Sequence, residues 1–166
     1  MAYTTPRTWT SATLTAAQLN TDVKDNIDWL ASSKHTWQLV ALSHGIGTAA
    51  YTAIPYSSES WDNGGLHSTS SNHSRVTISV AGKYMVFGWA DFAANATGTS
   101  RYQAIRKNGA TLRYVNSPKD SNNAAYSTIA MLVSCAAGDY LEHVAYQDSG
   151  STLTCNFNFD GTWYST

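Results

Sequence analysis

Five histidines, two cysteines and a scatter of aspartates are the side chains of this 166-residue sequence best suited to chemistry. His35, His44, His67, His73 and His143 show no H-x-H or H-x-x-x-H spacing, so no strand or helix face offers a metal two imidazoles at once. His143 falls in a strand-like run, where we expect a half-buried ring with its hydrogen bonds satisfied. Cys135 and Cys155 also sit in strand-like runs. With no secretory signal ahead of them we expect two buried free thiols rather than a disulfide. Asp62, Asp91, Asp120, Asp139, Asp148 and Asp160 stand mostly at turns, where a carboxylate bonds local backbone. Any two could be assembled into a glycosidase pair, so none is singled out. Asp62, Asp120 and Asp139 are candidate calcium ligands but form no calcium loop. There is no G-x-S-x-G, no phosphate-binding loop and no Cys/His nucleophile arrangement. We therefore assign no catalytic residue, no metal and no cofactor, and expect a protein that is not an enzyme.

The stretch Ser57–Ser74 reads as a long polar loop and is the best ligand-binding candidate. Trp61, Asp62, Asn63 and His67 combine a ring for stacking with planar polar groups for hydroxyls, which suits a glycan. The alternative is that Trp61 packs under the loop or against a neighbouring subunit.

The elements that would position these residues are mostly strands. In residues 75–94, Val76, Ile78 and Val80 alternate with polar residues. After Ala81-Gly82-Lys83 the run Tyr84, Val86, Gly88, Ala90, Phe92 shares one parity and Met85, Phe87, Trp89, Asp91 the other. Apolar residues on both parities predict a strand buried between layers. Asn108-Gly109 between YQAIRK and ATLRYV predicts a type I′ hairpin. Strands are also expected over 36–42, 49–57 (at an edge, given Pro55), 125–134, 140–147 and 152–164, with Leu153, Cys155, Phe157 and Phe159 on one side. About nine strands at this spacing predict an antiparallel jelly-roll sandwich, an all-β head over 35–166.

Residues 1–34 differ in kind. Residues 1–12 read as an extended, Thr-rich arm. Residues 15–31 predict one short helix: Thr15 and Gln18 form a capping box, and Leu19, Val23, Ile27 and Leu30 make an apolar stripe. That stripe must be buried on its own domain or on copies of itself, since two heptads are too short to stand alone.

Charged residues are only 13% of the chain and the net charge is −1. Such a weakly charged, Ser/Thr/Asn-rich chain suits a member of a large assembly better than a diffusing enzyme. Arg101, Arg106, Lys107 and Arg113 are spread over two strands and read as solvated, so no nucleic-acid partner is expected. Nothing approaches a membrane span. The N-terminal MAYTTPRTWTSATL has neither a basic start nor an apolar core, so we expect assembly in a cytoplasm without a signal peptide.

Two segments resemble known families. AGKYMVFGWA, RKNGATL, CAAGDYLEHVAY and FNFDGTWYST, in that order over residues 75–164, resemble the jelly-roll head shared by the complement-q globular domain and tumour necrosis factor. The turn departs from that pattern at Cys135 and Ala136. TPRTWTSATLTAAQLNTDVKDNIDWL, with Trp9, Thr15-Ala16-Ala17, Leu19-Asn20, Asp25-Asn26-Ile27 and Leu30, resembles a leader of tailed-phage virion proteins. The first resemblance implies a homotrimer with aromatic residues at its interfaces, and Tyr84, Phe87, Trp89, Tyr102, Tyr140, Tyr146, Phe157 and Phe159 exceed what one small core needs. The second implies a virion location, with Trp9 and the helix stripe as anchor and the major capsid protein or a tail component as partner. Together they suggest a capsid decoration, head fibre or fibre knob. A tail-fibre tip binding host glycan is the alternative, and a polysaccharide-degrading enzyme a weaker one.

Overall fold

A computed structural model describes residues 15–27, 35–119 and 122–165. The chain divides into two compact units, Met1–Lys34 and His35–Thr166, each described by itself.

In the first unit, Thr15 caps helix α1 (Ala16–Leu19). Its hydroxyl accepts from the Gln18 amide at 3.2 Å and the Gln18 side chain accepts from the Thr15 amide at 2.9 Å. The two side chains thus satisfy two orphan N–H groups of the first turn. The chain then widens into a π-helical turn, Asn20–Lys24, and returns to α-helix over 25–27. Leu19, Val23 and Ile27 are exposed, while Asp22 and Asn26 are buried. Trp9 and Leu30 lie outside the described residues.

The second unit is an antiparallel sandwich of ten strands: β1 (Thr36–Ile46), β2 (Thr52–Ala53), β3 (Ser58–Asn63), β4 (Val76–Thr77), β5 (Gly82–Phe92), β6 (Arg101–Lys107), β7 (Ala110–Asn116), β8 (Ala125–Cys135), β9 (Tyr140–Gln147) and β10 (Leu153–Ser165). Sheet I has the order β3-β1-β10-β5-β8. Sheet II has the order β2-β9-β6-β7, with β4 also on β9. The β4–β5 connection therefore passes from one sheet to the other, which is why the chain breaks pattern between Thr77 and Gly82. The Asn108-Gly109 hairpin forms as its residues dictate: both adopt positive φ, 51° and 80°, as a type I′ turn requires.

Alternation fills the core. Leu153, Cys155, Phe157 and Phe159 of β10 face inward, meeting Tyr84, Val86, Ala90 and Phe92 of β5, Trp37 and Leu39 of β1, and Ile54, Tyr56, Ile105 and Leu141 from the sheet II side. Each large apolar side chain so buried stabilises the fold by about 1.5–3 kcal/mol. Gly161 extends this face where space runs out, since a β-carbon there would stand inside the Trp37 indole. Cys135 and Cys155 are buried free thiols, and burial pushes them up to about 11 and about 12.

Two sequence expectations are corrected. β5 is not buried between layers: Phe87 is 40% exposed on the outer face of sheet I, and among the described strands no third sheet lies over it. Residues 58–63 are not loop but edge strand β3, paired antiparallel with β1 from Thr36↔Asn63 to Val40↔Ser58.

Candidate functional site

The four residues of the expected glycan loop do different jobs. Asp62 closes the turn after β3: its Oδ1 accepts from the Leu66 amide at 3.0 Å and its Oδ2 from the His67 amide at 2.9 Å. The His67 side chain is buried. Its Nε2 donates to the His73 carbonyl at 3.1 Å and its Nδ1 pairs with Glu59 at 2.9 Å. Asn63 donates to the Thr36 hydroxyl. Only Trp61 presents its ring, and on sheet I it lines a cavity of about 440 Å³ with Trp37, Phe87, Asp160, Gly161 and Thr162. Burial pushes the Asp160 carboxyl up from its ordinary value, with a hydrogen bond from Gln38 opposing the shift. Asp160 Oδ1 is buried with no hydrogen-bond partner among the described residues.

That cavity belongs to a larger aromatic face. On β5, Phe87 stands in register between Asp160 of β10 and Ala130 of β8, and Trp89 between Asn158 and Thr128. Trp89 stacks on Tyr126 with centroids 6.4 Å apart, and Leu132 and Leu42 add exposed apolar surface on β8 and β1. Asp91 on the same face accepts from Asn156 at 3.0 Å through Oδ2, while its Oδ1 is buried without a partner among the described residues. An exposed apolar patch bordered by polar residues is the kind of surface that marks an interaction face.

The eight expected interface aromatics therefore separate into three groups. Tyr84, Phe157 and Phe159 are interior and cannot reach a neighbour. Tyr84 packs 6.1 Å from Trp37 and donates to the Val80 carbonyl, Phe157 meets Phe92 edge-on, and Phe159 lies between Trp37 and Tyr56. Their parity placed them inside, because one sandwich of this size does use that many rings. Phe87 and Trp89 are on the outer face of sheet I. Tyr102, Tyr140 and Tyr146 are on the outer face of sheet II, the opposite side of the sandwich, where Arg75 covers the Tyr140 ring at 4.1 Å.

Sequence reasoning missed a buried polar chain across the sandwich. His143 is fully buried, not half-buried. Gln103 Nε2 donates to Ser127 at 2.7 Å, leaving Gln103 Oε1 to accept from His143 Nε2 at 2.7 Å, so His143 Nδ1 accepts from Tyr56 at 2.7 Å. Burial holds the ring neutral, pushing it down to about 3. Gly88 makes room for this chain, since a β-carbon there would come within 3.0 Å of Gln103 and His143. The only signal was polar residues at inward parity, His143 between Leu141 and Ala145 and Gln103 between Arg101 and Ile105. With His143, Gln103 and Ser127 all buried, the chain serves packing. Among the described residues no group of three or more His, Cys, Asp or Glu is placed to hold a metal ion.

No protein-family model and no curated protein matches the sequence. Solved structures do. The globular domain of zebrafish complement 1qA superposes with a TM-score of 0.63 at 10% identity, covering 80% of this chain and 100% of that one. The fold is the jelly roll of the complement-q and tumour-necrosis-factor domains. Murine APRIL matches with a TM-score of 0.56 at 13% identity over 76% of this chain and 98% of that one. The vertex protein P5 of PRD1, a phage, gives 0.60 at 16% identity over 81% of this chain and 99% of that one. The match spans nearly the whole of each of these three structures.

Proposed function

We propose that this chain is a non-enzymatic structural protein on the surface of a tailed-phage particle, a capsid decoration, head fibre or fibre knob whose jelly roll trimerises through the outer face of sheet I. The observation that carries the proposal is that face. Phe87, Tyr126 and Leu132, all exposed, and the half-buried Trp89 are brought together by strand register on one outward face of the 35–166 sandwich. A closed threefold ring covers such a face once per subunit. The virion location draws on the likeness of fold to the PRD1 vertex protein and on the phage-type leader at 5–30. In this reading the arm and helix (1–34) anchor the trimer to the major capsid protein or a tail component, and three linked anchors hold where one would not.

Mass spectrometry of purified parent particles tests this. The protein is expected in intact particles at a copy number divisible by three. Its absence from purified particles, with the protein free in the lysate, overturns the proposal.

A further inference from the structure

We propose that the outer face of sheet II carries a binding site for an acidic pyranose sugar, held in a cup of tyrosines around Tyr102. The site is independent of whatever covers sheet I.

The cup is assembled from four separate segments. Tyr102 of β6 stacks on Tyr146 of β9 with centroids 4.6 Å apart and planes within 10°. Tyr51, just ahead of β2, leans against both at 5.6 and 5.1 Å, and its hydroxyl hydrogen-bonds that of Tyr102 at 2.9 Å. Tyr114 of β7 leans on Tyr102 from the other side, at 6.1 Å and 55°. Ala104 forms the floor, and its small side chain leaves a cleft of about 410 Å³ between the flanking rings, walled otherwise by Thr111 and Asn116. That is room for one or two sugar units. Tyr51 is 53% exposed and Tyr114 63% exposed, so their rings stay open to a ligand.

The chemistry of the walls fits a sugar. Ring faces stack on the C–H faces of a pyranose, and a hydroxyl and an amide meet its hydroxyls. The rings are strand-borne or braced by one another and have little rotamer freedom to lose on binding. Arg106 supplies the charge preference. Its guanidinium lies 5.2 Å over the Tyr51 ring and its Nε donates to Thr111, while its two terminal nitrogens find no acceptor among the described residues. A planar carboxylate is the natural acceptor for that pair. The carboxylates nearby are engaged: Glu142 is buried and bound to Arg75, and Asp148, whose charge reaches Tyr102, is held by Thr99, Ser100 and Arg101.

The test uses the full chain and four probes: trigalacturonate, maltotriose, the N-acetylglucosamine trimer and hexaglutamate, each followed by saturation-transfer NMR and titration. Trigalacturonate is expected to bind most tightly. Tyr114→Ala, on the exposed edge strand, should weaken it about tenfold or more, the loss expected for one stacked ring. Arg106→Gln should bring trigalacturonate down to the level of maltotriose. Trp61→Ala, in the sheet I cavity, should change neither. No sugar binding up to about 10 mM overturns the site and leaves the virion reading standing. Binding that survives Tyr114→Ala overturns it as well, as does hexaglutamate binding as well as trigalacturonate, which would make this a peptide surface.

Discussion

Replacing Phe87 with aspartate should take the proposed trimer apart without unfolding its subunits. Phe87 points away from the core, with Val86 and Gly88 on either side facing in, and 40% of it is open in the single chain. A phenylalanine carries roughly 200 Å² of side-chain surface, so about 80 Å² remains to be covered, worth about 2 kcal/mol per chain at about 25 cal/mol per Å² and about 6 kcal/mol per trimer. The aspartate adds a second cost. It would stand in register beside Asp160, whose carboxyl is already raised by burial, and like charges directly opposite on neighbouring strands destabilise. A loss above about 6 kcal/mol raises the dissociation constant by some four orders of magnitude. Light scattering at micromolar concentration should then read about 54 kDa for the wild type, three times the 18.0 kDa chain, and the single-chain mass for Phe87→Asp. Far-ultraviolet circular dichroism should be unchanged. A variant that remains trimeric refutes the assignment of this face as the interface, and a variant that unfolds shows that Phe87 belongs to the core.

The remaining predictions concern the interior. His143→Gln should cost about 1–3 kcal/mol in urea unfolding, because Tyr56 or Gln103 loses its partner in a buried chain. The same ring gives wild-type stability a pH dependence: its folded value of about 3 lies below the ordinary 6.5, so the unfolded chain binds the extra proton between them. The histidine's contribution is full above about pH 6.5 and falls by about 1.4 kcal/mol per pH unit down to about pH 3, a slope His143→Gln should lack when the two proteins are melted side by side. Gly161→Ala and Gly88→Ala should each destabilise by about 1–3 kcal/mol or more through overpacking, against Trp37 and against Gln103 and His143 respectively. A thermal melt within a degree of wild type for either would show that these close approaches are not there. A thiol reagent at pH 8 should modify neither Cys135 nor Cys155 in the folded protein and both in denaturant, since burial keeps both thiols protonated.

Local signals carried the fold a long way. Asn108-Gly109 announced its hairpin because positive φ at two successive residues suits few others, and the Leu153-to-Phe159 alternation announced a half-buried strand. β3 stayed hidden because SESWDN has no apolar face: it is an edge strand held by backbone pairing to β1, and pairing leaves no mark on side-chain pattern. β5 showed apolar residues on both parities, which a third layer and a partner subunit would each require, so the sequence could not say which. The candidate site was less legible. Trp61 was singled out by its polar surroundings, but Asp62 and His67 turned out to hold the turn together and Asn63 to tie β3 to β1. Of the tyrosine cup the sequence showed only Tyr102 and Tyr146, as aromatics beyond one core's needs, because Tyr51, Tyr102, Tyr114 and Tyr146 come from four segments that only the order β2-β9-β6-β7 places side by side.

The central claim, a virion trimer closed through sheet I, is tested most directly by a cryo-EM map of the parent particle at a resolution that separates strands. The account predicts a surface knob into which three copies of the 35–166 unit dock with β5 and β8 facing the threefold axis and the tyrosine cups outward. A knob with sheet II at the axis, or particles that carry no such density, would contradict it.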